Sequence, residues 1–187
     1  MKRAAYCLFE TPLGVCGLGW LDTGDSRTIP AVAFLQLPEA TPQDTGQRIA
    51  QEFGGSRTNK LPLAITQVIQ KIGRHLRGEL QDFRDVPLNL CAVGPFDQQV
   101  YRATLQIPAG ETRSYGELAK ALGRPGQARA VGQALARNPI PIIIPCHRVV
   151  AAGGRFGGFS APGALLTKTK LLAIEKAKVA GLLAFPA

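Results

Sequence analysis

The period of apolar positions changes along the chain. From Ala4 to Leu37 there are three apolar runs, Ala4–Glu10, Val15–Trp20 and Ile29–Leu37. Thr11-Pro12-Leu13-Gly14 and Asp22-Thr23-Gly24-Asp25-Ser26 separate them, and both are turn sequences, so three strands are predicted. Thr41-Pro42 reads as a helix N-cap and first turn, and Gly54-Gly55 as that helix's end. A polar loop is expected over Ser56–Lys60. Ile65, Val68, Ile69, Ile72 and Leu76 then recur at helical spacing, with Gly78 as the stop and His75 on the same pattern. Val86–Leu90 is a short extended piece, and Ala92-Val93-Gly94-Pro95 marks a domain boundary.

Beyond it the helical period dominates. Phe96, Val100, Ala103 and Ile107 share a face until Pro108-Ala109-Gly110. Ser114-Tyr115-Gly116-Glu117 has the form of a capping box. Gly123-Arg124-Pro125-Gly126 is a turn, and Gln127–Arg137 a second helix with small residues at 128, 130, 132 and 134. Two helices joined by a short glycine-containing turn predict a helix-turn-helix. Arg148–Ala152 reads as a strand and Gly153-Gly154 as a turn. A last helix from Ser160-Ala161-Pro162 should bury Leu165, Leu166, Leu171, Leu172 and Ile174 and leave Lys168, Lys170 and Lys176 wet. The predicted fold class is α/β (α+β). A small N-terminal domain of sheet and helix, residues 1–94, is followed by a mainly helical domain, residues 95–187.

Composition narrows the function. The 187 residues are 45% hydrophobic with a net charge of +9. Residues 1–95 hold 10 Lys/Arg against 9 Asp/Glu, whereas residues 96–187 hold 12 against 4, so the second half is the one suited to a polyanion. No apolar run reaches the ~20 residues of a membrane span. The N-terminus has no signal-peptide pattern, and Cys7, Cys16, Cys91 and Cys146 form no CxxC pair, so a reduced, cytoplasmic location is expected. These cysteines and His75 lack a metal-site spacing, and no metal is expected.

The chemistry concentrates in Asn138-Pro139-Ile140-Pro141-Ile142-Ile143-Ile144-Pro145-Cys146-His147-Arg148-Val149-Val150. Its prolines make the chain stiff and non-helical. Cys146 follows beside His147 and Arg148, where positive charge would favour the thiolate and a histidine could take its proton. A lone cysteine beside a histidine is by itself more often a small core residue.

The string Ile144-Pro145-Cys146-His147-Arg148-Val149-Val150, with Asn138-Pro139 before it, resembles the active-site signature of the O6-alkylguanine-DNA alkyltransferases (methylated-DNA–protein-cysteine methyltransferases). The likeness extends from about Phe96 to Glu175. It implies direct repair of O6-alkylguanine, and of O4-alkylthymine as a further substrate, by one irreversible alkyl transfer to Cys146, without a cofactor. In family terms His147 is the base acting through water, Glu175 orients it and Asn138 braces the turn. Tyr115 helps rotate the nucleotide and protonate the leaving base. Tyr115, Pro141, Val149, Phe159 and Ser160 match the base pocket. Gln127, Ala128, Arg129 and Gly132 on the recognition helix, with Arg124 and Ser114, match the DNA contacts. The implied partner is double-stranded DNA bound through the minor groove by a monomer, with Arg129 filling the place of the flipped nucleotide. Phe159 stands where many relatives have tyrosine, and Ala161-Pro162 where glycines are frequent. The rival classes are a non-catalytic lesion-binding relative, whose nucleophile is replaced, a helix-turn-helix regulator and a cysteine hydrolase.

Overall fold

The computed structural model describes residues 3–22, 29–154 and 164–179. The chain forms two compact units. The first comprises Met1–Gln81, Asp85–Ala92 and Pro139–Pro141; the second comprises Asp82–Arg84, Val93–Asn138 and Ile142–Ala187.

The first unit is built on a four-stranded sheet of order β3-β2-β1-β4. Its strands are β1 (Arg3–Thr11), β2 (Gly14–Asp22), β3 (Ala31–Gln36) and β4 (Ser56–Arg57). β1 and β2 are an unbroken antiparallel hairpin from Thr11↔Gly14 to Arg3↔Asp22. The tight turn is held by Thr11 Oγ1, which donates to the Gly14 carbonyl at 2.7 Å. β3 adds antiparallel to β2, with an irregularity at Gly19/Trp20. β4 adds parallel to β1 through Ala5↔Ser56 and Tyr6↔Arg57. The segment expected to be a loop therefore begins with an edge strand, too short and polar to show a period.

Helix α1 (Pro42–Glu52) starts at Thr41 in a capping box with Asp44. It lies close on β2 because Gly17 and Gly19 have no side chains. A Cβ on Gly17 would lie 2.8 Å from Ile49 Cδ1, and one on Gly19 2.6 Å from the Phe53 ring. Helix α2 (Leu63–Leu76) buries Ile65, Val68, Ile72, His75 and Leu76. His75 ends there as a structural acceptor, taking the Gln81 backbone N–H on Nδ1 at 3.1 Å.

In the second unit α3 (Pro95–Leu105), α4 (Tyr115–Ala121) and α5 (Ala128–Ala136) pack on one another. α4 begins with the expected capping box between Ser114 and Glu117. Gly123 ends it at φ +69, with Arg124 N donating to the Ala119 carbonyl at 2.9 Å. α3 grips the end of α5: Tyr101 Oη donates to the Ala134 carbonyl at 2.9 Å, and Arg137 forks onto Asp97. Two-residue strands β5 (Arg113–Ser114) and β6 (Val149–Val150) pair in parallel, as Arg113↔Val149 and Ser114↔Val150. The region read as a strand over Arg148–Ala152 is thus only two residues of strand between 3-10 turns at Cys146–Arg148 and Ala152–Gly154. Helix α6 (Ala164–Ile174) completes the unit. Leu171 and Leu172 are buried as expected, but Leu166 is 59% exposed. Lys168, expected to be wet, is 2% exposed. Lys170 and Lys176 are exposed.

Candidate active site

The site is assembled from the backbone between α5 and β6. Asn138 Nδ2 donates to the Ile144 carbonyl at 2.9 Å and closes the turn 138–144. Inside it Ile140, Ile142, Ile143 and Ile144 are buried. Ile142 sits at φ +71, a left-handed conformation that strains a β-branched residue by about 1–3 kcal/mol. Pro145 follows at φ −81, ψ 64. With Cys146 N donating to the Ile144 carbonyl at 2.8 Å, this is an inverse γ-turn. The prolines and the branched run thus hold Cys146 at the exit of a sharp bend.

Cys146, His147 and Arg148 form one 3-10 turn. With three residues per turn their side chains leave the axis about 120° apart. His147 and Arg148 converge on Glu175, just beyond α6. His147 Nε2 lies 2.9 Å from Glu175 Oε1. Arg148 Nε and Nη2 donate to the same carboxyl at 3.0 and 2.8 Å, and Nη1 donates to the Ile107 carbonyl. The Gly110 N–H approaches Oε2 at 3.5 Å. All three side chains are nearly sealed from solvent, at 2% for His147, 6% for Arg148 and 0% for Glu175. A carboxylate forked by a guanidinium can only accept, so His147 Nε2 is the donor and Nδ1 carries the lone pair of the neutral ring. That is the tautomer a general base needs.

Cys146 is half-buried. Burial pushes its thiol up; the Asn138 side chain, the Lys168 charge and the backbone N–H groups of Cys146 and His147 pull it back. The sequence suggested Arg148 as the charge beside the thiol. Its guanidinium is instead spent on Glu175, and the lysine of α6 supplies the field at the sulfur.

β5 and β6 bring the rest. Because Ser114 pairs with Val150, Tyr115 enters α4 next to the segment that carries Cys146. Burial first, then the charge at Cys146, push the phenol above its ordinary 10.0, so it stays a proton donor. Its ring lies under Lys168, with Nζ 5.8 Å from the centroid. Val149 is fully buried, and its carbonyl accepts from Lys168 Nζ at 2.6 Å. Pro141 is half-buried in the turn and belongs to the first unit. Phe159 and Ser160 lie outside the described residues.

On the helix-turn-helix, Arg129 is exposed one residue into α5, and Gln127 is its exposed N-cap. Ala128, Gly132 and Ser114 are half-buried. A Cβ on Gly132 would lie 3.7 Å from the Tyr115 ring, so this small residue serves packing as well as a low profile. Arg124 is exposed with its guanidinium 5.3 Å over the Phe96 ring. Gln133, exposed one turn after Arg129, shares its face and was not singled out in the sequence. Arg148 and Lys168 were also missed as site residues. The sequence signal for Arg148 was its place in the Cys-His-Arg triplet; for Lys168 there was none to set it apart from Lys170 on the same helix. Among the described residues no group of three or more His, Cys, Asp or Glu side chains could hold a metal ion, and no helix is long and apolar enough to cross a membrane.

Comparison with known proteins bears on this arrangement as a whole. Residues 95–177, the span holding the helix-turn-helix, Cys146 and Glu175, match the family model of the 6-O-methylguanine DNA methyltransferase DNA-binding domain. The chain is 45% identical to a methylated-DNA–protein-cysteine methyltransferase of Mycobacterium leprae over 71% of this chain and 79% of that one. It is 42% identical to the protein of the same name from Mycolicibacterium paratuberculosis, over 80% and 91%. The crystal structure of Mycobacterium tuberculosis OGT in complex with DNA superposes with a TM-score of 0.71 at 34% identity, covering 96% of this chain and 97% of that one. The likeness runs through the sheet unit as well as the helical one, and this chain belongs to the methylated-DNA–protein-cysteine methyltransferase family.

Proposed function

We propose that this protein repairs alkylated duplex DNA by taking the alkyl group of O6-alkylguanine onto Sγ of Cys146, once per molecule. The observation that carries this reading is the buried His147–Glu175–Arg148 cluster behind Cys146. It leaves one histidine nitrogen as an acceptor on the same 3-10 turn as a half-buried thiol. His147 accepts the thiol proton through water, and the sulfur attacks the alkyl carbon in line. An S–C bond forms and the C–O bond breaks, its electron pair staying on the guanine oxygen. Tyr115, held as a neutral phenol, gives the departing base its proton. The thioether does not hydrolyse at neutral pH, so the protein is consumed and requires no cofactor.

In this proposal residues 95–187 are the DNA-binding and alkyl-acceptor domain and residues 1–94 a structural one. The protein acts as a cytoplasmic monomer. α5 enters the minor groove, led by Arg129 in the space left by the flipped nucleotide, with Gln127, Ala128, Gly132, Arg124 and Ser114 around it. The excess of basic residues beyond residue 95 and the acid-free sequence of α5 support that orientation. Tyr115 and Val149 receive the base.

Intact mass after incubation with a duplex containing O6-methylguanine tests the reading. One added methylene mass on Cys146 is expected, and none on Cys146→Ala. Sustained turnover by the purified protein would overturn it.

A further inference from the structure

Helix α5 turns one face inward and the other to solvent. Val131, Ala134 and Leu135 are buried. At about 100° per residue the opposite crest consists of Arg129, Gln133 and Ala136, with Gly132 on one flank and Ala130 and Arg137 on the other. Arg129, Gln133, Ala136 and Arg137 are exposed, while Ala130 and Gly132 are half-buried. A Cβ on Gly132 would lie 3.7 Å from the Tyr115 ring, so that flank of the crest borders the proposed acceptor site.

Few of these side chains can reach beyond the helix surface. The alanines and the glycine are too short. Arg137 is long, but its guanidinium forks onto Asp97, with Nη2 2.9 Å from Oδ2. Arg129 has its place in the stack left by the flipped nucleotide. Gln133 remains, a long polar side chain on the crest one turn further on. An amide both donates and accepts. In the minor groove every base pair offers acceptors, at N3 or O2, but only G·C offers a donor, the 2-amino group of guanine. Nε2 of a glutamine therefore finds a partner at any pair, and Oε1 only where a guanine stands.

We infer that Gln133 is a specificity-determining residue that selects G·C pairs beside the lesion, its Oε1 accepting from the 2-amino group of guanine and its Nε2 donating to N3 of the same base. The inference rests on α5 as the helix that enters the groove, and it adds what that helix reads there. Four residues of α-helix rise about 6 Å, and stacked bases are about 3.4 Å apart. Gln133 thus reaches no further than about two pairs from the nucleotide whose place Arg129 takes. A crest of arginine and small residues alone would serve every flanking sequence alike. The glutamine makes repair depend on the neighbours of the lesion.

The test measures methyl transfer at subsaturating protein from O6-methylguanine duplexes in which the two pairs on either side of the lesion are all G·C or all inosine·C. These pairs differ only in the 2-amino group. A second set carries 2,6-diaminopurine·T or A·T at the same positions, which adds the amino group to the other pair. The full chain, Gln133→Ala and Gln133→Leu are compared by the ratio of rates within each set, so that the effect of the neighbours on flipping cancels between proteins. The ratio favouring the amino group should be about fivefold larger for the unaltered protein than for either variant, the worth of one hydrogen bond. Equal ratios in all three proteins would overturn the inference. So would variants slowed equally on every duplex, which would make Gln133 a phosphate contact. A protein that transfers no methyl from any duplex sinks the repair proposal separately. Equilibrium binding to the same duplexes then supplies the ratios, with the same two outcomes.

Discussion

Glu175 is the residue on which the neighbours of Cys146 depend. It orients His147 and neutralises Arg148, and all three are buried. Removing one partner from such a group leaves a charge without compensation in a medium that solvates it poorly. Arg148→Met should lower unfolding free energy by about 3–5 kcal/mol, and Glu175→Gln should do comparable damage through the stranded guanidinium. The double variant should cost less than the two single changes added together, because it removes both charges. Urea unfolding of the four proteins measures this. Additive losses would show that the pair is not energetically coupled. The Cys-His-Arg triplet is plain in the sequence. Which acid answers it is not, since Glu175 is one acidic residue just past a helix, 27 positions away.

At the scale of elements, close packing on glycine is what lets α1 cover β2. A methyl group on Gly19 would lie 2.6 Å from the Phe53 ring carbon, so either the ring or the helix must move. Gly19→Ala should destabilise the protein by about 1–3 kcal/mol. The same change at Gly73 in α2 meets only the far end of the Arg77 side chain at 3.4 Å. Gly73→Ala should instead stabilise by about 0.5–1 kcal/mol, the usual gain of alanine over glycine inside a helix. The urea midpoints of the two variants should shift in opposite directions. A Gly19→Ala midpoint that rose together with that of Gly73→Ala would show that α1 accommodates the added methyl on β2 without cost. The β5–β6 pair is the other decisive element. Two residues of parallel bridge bring the start of α4 to the segment that follows Cys146, and no period can announce a strand that short.

For the whole molecule, buried titratable groups set the alkaline limb of stability. Lys168 is lowered from 10.5 to about 8. Its contribution to stability is full above 10.5 and is lost as pH falls through about 8. Cys7 and Cys16, buried on β1 and β2, are raised from 9.0 to about 11. Their contribution is full below 9.0 and is lost as pH rises through about 11. Cys146, also pushed up, adds to that loss. Between about 8 and 9 only the lysine changes, and stability should rise by up to about 1.4 kcal/mol per pH unit. Above 9 the thiols outnumber it and stability should fall. Unfolding midpoints taken from roughly pH 7.5 to 10.5 should pass through a maximum near 9. A profile that only declines from 7.5 upward would mean that Lys168 is not buried as an ammonium.

Much of this protein is determined locally and was legible in the chain. The N-cap at Thr41, the capping box at Ser114, the glycine stops at Gly54, Gly78 and Gly123, and the hairpin about Thr11–Gly14 each depend on neighbours within a few residues, and all stand where they were expected. The family followed from one seven-residue string, because a proline-bracketed Cys-His-Arg is dense with constraint. Tertiary structure decided what depends on distant partners. It gave Arg148 to Glu175 and not to the thiol, and it made an edge strand of Ser56–Arg57 by supplying β1. It also put Lys168 under water-excluding cover while Leu166, two residues away, stayed exposed. Helical spacing gives the angle of each residue around α6, but not which angle faces the interior. That is set by where the Val149 carbonyl and the Tyr115 ring wait, and those positions come from segments 19 and more residues distant.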